Sequence, residues 1–476
     1  MYRLKVIVFM AVLIGVLSCK KGELLENNPP DTKIFLDSIQ LSGNERLNSI
    51  VSLYWHGEDI DGKVIGYEIS LNNQDWSYTT RQDTTIQFLI PLNNDTTDID
   101  FWVRSIDNQN VRDISPAYLR IPIKNTPPEV SFDSTLYPYD TVLSVVSYQW
   151  SATDLDGENS ITEVQIRAND GPWINIDVNH TLLSVVSENP DIIGSGEALI
   201  YPKTTGNPLA IKLSNWNNGG WNTLYIRTRD QGGLYSQPDT AKNVFVKPKS
   251  SNLLVIDNSP INPRAINVYA PILNNVWGFY DYLDYTKTAN QFKLLNPTLL
   301  LLLNLYSEVF WFSTNNVNQI LLIESAESVI QQYLNQNKKL LMIVPLPATT
   351  LAESAIFRFA PFESLTPTQN AQIANQGRIY PTIAAPTVFP TLKNKGPGFI
   401  SGINPVICKL SAEVFYQAEL LLNGNPWPDS TAVITALRNQ NNSKINQIFS
   451  VVPLQNLDGD GSLQAFFQAV KESFDW

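Results

Sequence analysis

The sequence is poor in the side chains that hold transition metals and activate nucleophiles. Its 476 residues include two cysteines, Cys19 and Cys408, and two histidines, His56 and His180. No cluster of Cys and His offers a zinc site, and the second half of the chain has no histidine for a catalytic triad. Neither GxxxxGK[ST] nor GxGxxG follows a strand-like run. These absences argue against a zinc enzyme, a triad hydrolase and a nucleotide-dependent enzyme.

Positive charge is also scarce. The chain has 33 Lys and Arg residues against 45 Asp and Glu residues, a formal net charge of -12 at pH 7. Residues 19–249 hold 30 acidic and 18 basic residues, whereas residues 250–476 hold 15 and 13. Because a negative surface repels phosphate groups, we expect no nucleic acid partner. The unequal halves indicate two different kinds of structure.

The apolar run near the start is too short to span a membrane. Arg3 and Lys5 are followed by 12 residues of apolar character at 6–17, and a spanning helix needs about 17 to 25. A positive start and a short apolar run are typical of a secretory signal. The tetrad VLSC at 16–19 resembles the lipobox of bacterial lipoproteins. This resemblance implies that residues 1–18 are removed, that Cys19 is lipidated and that Lys20 directs the protein to the outer membrane; a plain signal peptide is the alternative.

An internal repeat occupies the first half of the chain. The segment YWHGEDIDGK from Tyr54 matches QWSATDLDGE from Gln149 at a constant offset of 95. The matched residues are Trp55, Asp59, Asp61 and Gly62 in the first copy and Trp150, Asp154, Asp156 and Gly157 in the second. Further on, FWVRSIDNQN at 101–110 matches LYIRTRDQGG at 224–233, and a double proline precedes each copy. This pattern indicates a tandem module.

Each copy predicts an antiparallel β-sandwich. Apolar and polar residues alternate in short runs, and clusters of Asn, Asp and Gly separate those runs. The opening TPP, the early Trp and the late strand that ends in Asp resemble fibronectin type III and immunoglobulin-like modules of bacterial surface proteins, over about residues 28–248. The second copy carries an insertion of 26 residues that includes NWNNGGWN at 215–222.

Strands and helices alternate from residue 253 onward. Continuous apolar runs at 253–257, 308–314 and 339–345 predict buried strands, and helices are predicted over 268–283, from Asn296 onward and over 318–335. In the last of these helices the residues expected to face inward are Ile320, Leu321, Val329, Ile330, Tyr333 and Leu334. This alternation predicts a Rossmann-like or flavodoxin-like α/β domain with a mostly parallel sheet.

The same half resembles the class I glutamine amidotransferase-like fold. The resemblance rests on VFWFSTNN, LLMIVP and the late VVPLQNLDGDG, and it covers about residues 252–476. In active members a cysteine follows a central strand, and a histidine and a carboxylate activate it. Here the corresponding turn is Pro345-Leu346-Pro347, so the resemblance implies a degenerate domain without the triad. We expect Cys408 to pack as a small apolar residue.

The repeated Asp-x-Asp-Gly turns are candidate calcium sites. In a sandwich, the loops that carry these turns and the loops after the late strands lie at one end. Three carboxylates would then converge in each copy, and oxygen ligands suit Ca²⁺. The alternative is that Asp-Gly simply makes a tight turn. The candidate ligands are Asp59, Asp61, Asp107, Asp154, Asp156 and Asp230.

Two further groups are candidate ligand-binding residues. Trp216 and Trp221 could form an exposed aromatic platform for a glycan or a peptide, and the alternative is that they belong to the core. In open parallel sheets, ligands bind outside the carboxyl ends of the strands, which here carry Asp257, Thr314 and Asn315. These residues offer hydrogen bonds but no nucleophile with an attached base.

The sequence thus predicts a domain order and a function. The expected order is a signal peptide (1–18), a tether (19–30), two β-sandwich modules (31–124 and 125–249) and an α/β domain (250–476). The expected function is non-enzymatic binding or scaffolding at the cell envelope, with a glycan, a peptide or an envelope protein as partner. Two alternatives stay open: an accessory subunit of an export or motility assembly, and an acid-dependent hydrolase of carbohydrate or peptide metabolism using carboxylates among Asp257, Glu324, Glu327 and Glu363.

Overall fold

The structure is a computed structural model that describes residues 26–36, 46–91, 94–203, 206–259, 264–285, 295–314, 317–439 and 443–474, without the side chains of residues 158, 295 and 296. The chain divides into two compact units. The first unit comprises Met1–Pro128, Thr153–Thr162 and Arg229–Ser236, and the second comprises Glu129–Ala152, Glu163–Thr228 and Gln237–Trp476. The predicted signal peptide and Cys19 lie outside the described residues.

The first unit contains a β-sandwich. Its strands are β1 (Asp31–Leu36), β2 (Ile50–Glu58), β3 (Val64–Ser70), β4 (Ser77–Thr79), β5 (Asp83–Gln87), β6 (Thr96–Asp107) and β7 (Ala117–Lys124). They form two antiparallel sheets in the orders β1-β2-β5 and β4-β3-β6-β7. Alternate residues of β2 are buried, and the Trp55 indole N–H donates to the Arg81 carbonyl at 3.0 Å. The antiparallel sandwich predicted for this part is confirmed.

The second copy of the repeat is also built of antiparallel sheets. Its strands are β8 (Glu129–Phe132), β9 (Thr141–Leu143), β10 (Val145–Thr153), β11 (Ile161–Ala168), β12 (Ile174–Ile176), β13 (Leu182–Ser187), β14 (Gly194–Pro202), β15 (Lys212–Asn218), β16 (Gly220–Asn222), β17 (Leu224–Asp230), β18 (Asp239–Thr240) and β19 (Val244–Lys247). The sheet orders are β15-β14-β13-β10-β8, β12-β11-β17-β18 and β16-β19-β9. Strands β14 and β15 have no counterpart in the first copy and extend the sheet that holds β10 and β13, so the insertion widens that sheet.

The widened sheet is buried on both faces. All six residues of β13 are buried. Leu183 and Val185 enter the core of the sandwich, whereas Val145 and Val186 join the core of the chain after residue 250. Ser147 also hydrogen-bonds both Ser184 and Thr298. Within the second unit, one face of this sheet therefore packs into the core of the sandwich, and the other face packs into the separate core of the α/β part.

The remainder of the second unit combines helices with a large sheet. The helices are α1 (Ile266–Trp277), α2 (Leu300–Asn304), α3 (Val317–Ser325), α4 (Glu327–Asn335), α5 (Ile356–Phe359) and α6 (Leu463–Phe474). The strands are β20 (Leu253–Asn258), β21 (Asp281–Asp284), β22 (Glu308–Ser313), β23 (Lys339–Ile343), β24 (Phe362–Leu365), β25 (Ala371–Ile373), β26 (Arg378–Pro381), β27 (Leu392–Lys393), β28 (Ile400–Ile403), β29 (Val406–Cys408), β30 (Ala412–Ala418), β31 (Leu420–Leu422), β32 (Asn425–Pro426), β33 (Ala432–Arg438) and β34 (Ile445–Ser450).

The large sheet is mixed, which corrects the prediction of a mostly parallel one. Its order is β21-β20-β22-β23-β34-β33-β30-β26-β27. The first five strands run parallel, and the last four join through antiparallel pairs. Tyr269 of α1 packs on Phe310 and Phe312 on one face. Phe449 of β34 packs on Phe362 on the other face. The Rossmann-like and glutamine amidotransferase-like assignments of this part stay predictions.

Several helices differ from their predicted bounds. The helix predicted over 268–283 ends at Trp277, because Gly278 takes a φ of 79° that favours glycine and stops the helix. The chain then forms the edge strand β21. The helix predicted over 318–335 is interrupted at Ala326, and Leu295–Leu299 forms a π-helical turn before α2. None of the helices in the described ranges is long and apolar enough to cross a membrane.

Candidate functional site

In the first unit, the Asp-x-Asp-Gly turn of the second repeat binds the linker that precedes that repeat. The Asp156 carboxylate accepts hydrogen bonds from the Thr126 backbone N–H at 2.8 Å and the Thr126 hydroxyl at 3.1 Å. Asp230 accepts a hydrogen bond from the Asn125 side chain at 2.8 Å, and its other oxygen accepts from the backbone of Gly233 and Leu234. Asp156 and Asp230 are both buried. We call this arrangement the second linker clamp.

The first repeat has the same arrangement, the first linker clamp. Asp61 accepts hydrogen bonds from the Asn28 backbone N–H at 3.0 Å and from the Asn28 side chain at 2.9 Å. The Asn27 side chain donates to Asp107. In both repeats the second Asp of the turn and the Asp of the late strand therefore hold the two residues in front of the double proline. The sequence repeat showed the carboxylates, but it did not show their partners.

The pKa values of Asp61 and Asp107 in the first linker clamp are lowered, whereas the pKa of Asp154 in the turn of the second repeat is raised. The Asn28 backbone N–H lowers the pKa of Asp61. Burial works to raise the pKa of Asp107, but hydrogen bonds from Asn27, Val111 and Gln109 outweigh it and the pKa is lowered. Burial raises the pKa of Asp154, which accepts from the Asp156 backbone N–H and the Ser160 hydroxyl.

Each clamp carboxylate thus accepts hydrogen bonds from the linker, whereas the buried Oδ1 of Asp156 has no hydrogen-bond partner among the described residues. In the part of the chain that the structure describes, no group of three or more His, Cys, Asp or Glu side chains is placed to hold a metal ion. The two Asp-x-Asp-Gly turns do lie beside the late-strand Asp residues, as the sandwich geometry predicts. Calcium binding by Asp59, Asp61, Asp107, Asp154, Asp156 and Asp230 stays a prediction.

The two tryptophans of the insertion do not form a platform. Trp216 is 1% exposed and belongs to the core of the second sandwich. Trp221 is 53% exposed and packs edge-on against Phe245 at a centroid distance of 5.7 Å. The prediction that both are exposed is wrong for Trp216, because β15 is irregular at Asn215, whose φ is 60°, and this break in the alternation that begins at the buried Leu213 turns Trp216 inward. The flanking Asn and Gly residues had suggested a surface loop.

Of the residues predicted at the carboxyl ends of β20 and β22, Asp257 is engaged internally. Asp257 is fully buried and accepts hydrogen bonds from Tyr282 at 2.8 Å, from the Ser259 backbone N–H at 2.9 Å and from Arg264. Burial raises the pKa of Asp257 in spite of these donors. Asp257 therefore anchors Arg264 and offers no open group to a ligand. Thr314 is half-buried, and Asn315 lies outside the described residues.

An open groove lies close by, at the carboxyl end of β23. It has a volume of about 270 Å³ and is mainly apolar. Leu321 of α3 and Leu351 of the segment after β23 line it and are 54% and 63% exposed. Glu324 and Glu353 also line it, and the Ser354 hydroxyl donates to Glu324. We call this feature the α3 groove.

The sequence placed Leu321 on the wrong side of its helix. Leu321 was expected to face inward, but only Ile320 and Ile323 of the run Ile320-Leu321-Leu322-Ile323 are buried. Four consecutive apolar residues span a full helical turn, so they cannot all face the core. That run was the available signal for an exposed apolar patch.

The one described cysteine is not an activated nucleophile. Burial, with contributions from the charges of Glu413 and Glu363, raises the pKa of Cys408 to about 11. Its thiol lies 3.5 Å from the Pro361 carbonyl. Because the thiolate is the reactive form, this raised pKa disfavours nucleophilic attack by Cys408 at neutral pH.

No protein-family model matches the chain, and no curated protein matches it. Solved structures match part of it. The fibronectin(III)-like modules of CbhA from Clostridium thermocellum are 16% identical and cover 45% of this chain and 94% of that chain, with a TM-score of 0.18. The two-domain fibronectin type III segment of chicken tenascin is 10% identical and covers 46% and 100%, with a TM-score of 0.24. The PKD1 domain of Epp from Vibrio anguillarum is 13% identical and covers 21% and 99%, with a TM-score of 0.16.

These neighbours are small sandwich modules matched over at most about half of the chain. TM-scores this low carry no argument about function. The strand pairing within each repeat defines its antiparallel sheets.

Proposed function

We propose that the protein is a non-enzymatic, lipid-anchored protein of the bacterial cell envelope that binds a peptide segment of a partner protein. The α3 groove is the binding site in this proposal. The two sandwich repeats act as spacers between the anchor at Cys19 and the groove-bearing domain, and an outer-membrane location follows from Lys20.

The observation that carries the proposal is the chemistry of the α3 groove. Exposed Leu321, Leu351 and Val317 supply apolar surface where a partner side chain can be desolvated. The groove lies at the carboxyl end of a parallel strand, where ligands of open α/β sheets bind. Among the described residues that line the groove, Glu324 and Glu353 are the charged ones. An apolar peptide segment that carries a Lys or Arg complements both features.

A selection from a random peptide library on the purified full chain tests this proposal. Enriched peptides should combine a large apolar residue with a basic one. Their binding should be lost in Leu321→Glu, which puts a third carboxylate into the groove. The matched control is Leu410→Glu, because Leu410 is fully exposed on a turn outside the groove. Peptides that bind the Leu321→Glu chain as well as the natural chain would contradict the assignment.

The acid-dependent hydrolase is the second candidate, and one observation favours it. Glu324 and Glu353 line the same groove, and Glu324 is hydrogen-bonded to a serine hydroxyl. The selected peptides should therefore be incubated with the chain and analysed by mass spectrometry. We expect intact peptides. Cleavage that disappears in Glu324→Gln would show that the groove is an active site.

A further inference from the structure

A second cavity lies at the amino ends of the parallel strands of the large sheet, whereas the α3 groove lies at their carboxyl ends. It has a volume of about 420 Å³ and is formed by the end of α4, the end of α5, the end of β33 and the first residues of β34. We call it the arginine cleft. Because it sits at the amino end of β34, it shares no lining residue with the α3 groove. Its lining contains no carboxylate, which is unusual in a chain with a net charge of -12.

Two arginines in the cleft are held in place by glutamates that lie outside its lining. Arg358 uses Nε and Nη2 to bind the two Glu327 oxygens, at 2.6 and 2.5 Å. Arg438 uses Nε to bind Glu413, at 3.0 and 3.1 Å. Within the described residues, Nη1 of Arg358 and Nη2 of Arg438 have no hydrogen-bond acceptor. Each guanidinium is therefore fixed in orientation and keeps a donor for an anion.

The rest of the polar lining consists of amides. Gln331 and Asn335 project from α4, and Asn446 stands at the start of β34. Asn446 is 7% exposed, and its Oδ1 has no partner among the described residues. A buried acceptor without a donor is costly, so a ligand that supplies a hydroxyl group would relieve that cost.

We propose that the arginine cleft binds a small polyol that carries one anionic group, as sugar acids and sugar phosphates do. The anion bridges Arg358 and Arg438, and the hydroxyl groups pair with Asn446, Asn335 and Gln331. The buried side chains of Phe359 and Leu334 form an apolar floor against which the carbon face of a ring can pack. The volume is near the lower end of ligand pockets, which suits one or two sugar rings.

Calorimetric titration of the full chain with four probes tests this proposal. The probes are glucuronate, glucose 6-phosphate, glucose and acetate. At least one of the two anionic sugars should bind at least 10-fold more tightly than glucose, which lacks the anion, and than acetate, which lacks the hydroxyl groups. The tighter of the two anionic sugars identifies the carboxylate or the phosphate as the preferred group.

Two variants place the binding in the cleft. Arg438→Gln should weaken binding at least 10-fold. Asn335→Asp adds a negative charge at an exposed position whose side chain has no described partner, so it should weaken binding severalfold without disturbing the fold. The control is Arg120→Gln, because Arg120 is a surface arginine that is also paired with one carboxylate, Asp98, at 3.0 Å. It should leave binding unchanged.

The proposal is overturned if neither anionic sugar gives saturable binding, or if glucose or acetate binds as tightly as they do. Binding that survives Asn335→Asp and Arg438→Gln at full strength also overturns it. The proposal does not depend on the function assigned to the α3 groove, because Leu321→Glu leaves every lining residue of the arginine cleft in place.

Discussion

Substitution of Asp156 by Ala should release the linker between the two sandwich repeats. The change removes the acceptor of two hydrogen bonds from Thr126, at 2.8 and 3.1 Å. Hydrogen bonds to a charged group contribute roughly 1.5–3 kcal/mol each, and water reaches the half-buried Thr126 once the clamp opens. We therefore expect the free energy of local opening to fall by about 2–4 kcal/mol, which corresponds to about 30-fold or more in an opening equilibrium.

Amide hydrogen exchange on the full chain measures this loss at the right place. A chain with several domains does not unfold in one step, so a single melting temperature would dilute the effect. The reporter is the Asn125 amide, which donates to the Asp95 carbonyl at 2.8 Å and makes no direct bond to Asp156. Its protection should fall about 30-fold or more in Asp156→Ala. Asp156→Asn keeps one acceptor oxygen and should lose much less.

The matched control is Asp170→Ala, which removes an equal charge from an exposed position of the same repeat. It should leave the Asn125 amide unchanged. Equal protection of that amide in Asp156→Ala and in the natural chain would refute the clamp. An equal loss in Asp170→Ala would show that net charge, and not the Thr126 contact, controls the linker.

Four further outcomes are expected. Asp154→Asn should raise the free energy of unfolding at pH 7, because burial raises the pKa of Asp154 and the charged carboxylate destabilises the folded chain above that raised pKa. This gain in the free energy of unfolding should vanish near about pH 3, where Asp154 is protonated, in a pH series of unfolding curves. Protection of the Asn28 amide should fall as pH drops below about 4, since the lowered pKa values of Asp61 and Asp107 place their contribution above that range. Gln447→Met should raise the free energy of unfolding by about 1–3 kcal/mol in urea titrations, because both amide atoms of this fully buried side chain lack partners among the described residues. Calcium in excess should raise the melting temperature relative to a chelator if the six Asp residues bind it, because a ligand of the folded form stabilises that form, and coincident melting curves would contradict the calcium prediction.

The sequence predicted strands where the apolar residues either alternate with polar ones or form a continuous run. Alternation predicted the sandwich strands, and the continuous apolar runs predicted β20, β22 and β23, which pair in parallel. The antiparallel half of the large sheet was not predicted. Two of its strands, β26 and β27, have four and two residues, which is too few to show a period. The other two, β30 and β33, have seven residues each, but residue spacing within a strand does not encode the direction in which it pairs.

The sequence of the second repeat contains a signal for a sheet that is buried on both faces. The run at 182–187, LLSVVS, does not alternate between apolar and polar residues, and all six residues are buried. A strand with one solvated face alternates, whereas a strand covered on both faces does not. The corresponding strand of the first repeat, β5, reads DTTIQ and has no buried residue. Comparing the two copies would have predicted that the second sandwich carries a further layer.

The candidate sites depended on contacts that no local pattern contains. Asn125 and Asp230 are 105 positions apart, and Asn27 and Asp107 are 80 apart. A carboxylate that is buried must find donors, because its desolvation is otherwise uncompensated. The sequence could show that such carboxylates recur, and it offered metal ions as one kind of partner. The fold offers another kind, which is the backbone and amide groups of the linker itself.

The clamp recurs in both repeats because each repeat must hold the linker that enters it. A tandem module must fix the direction of the segment that enters it, and the double prolines remove backbone N–H donors just after that segment. The two residues in front of the prolines are the last positions at which a module can hold the linker through its donors. Asn28 and Thr126 use their backbone N–H and their side chain together on one carboxylate. The repeated Asp residues are therefore explained by the need to fix the entering chain, whether or not any ligand binds there.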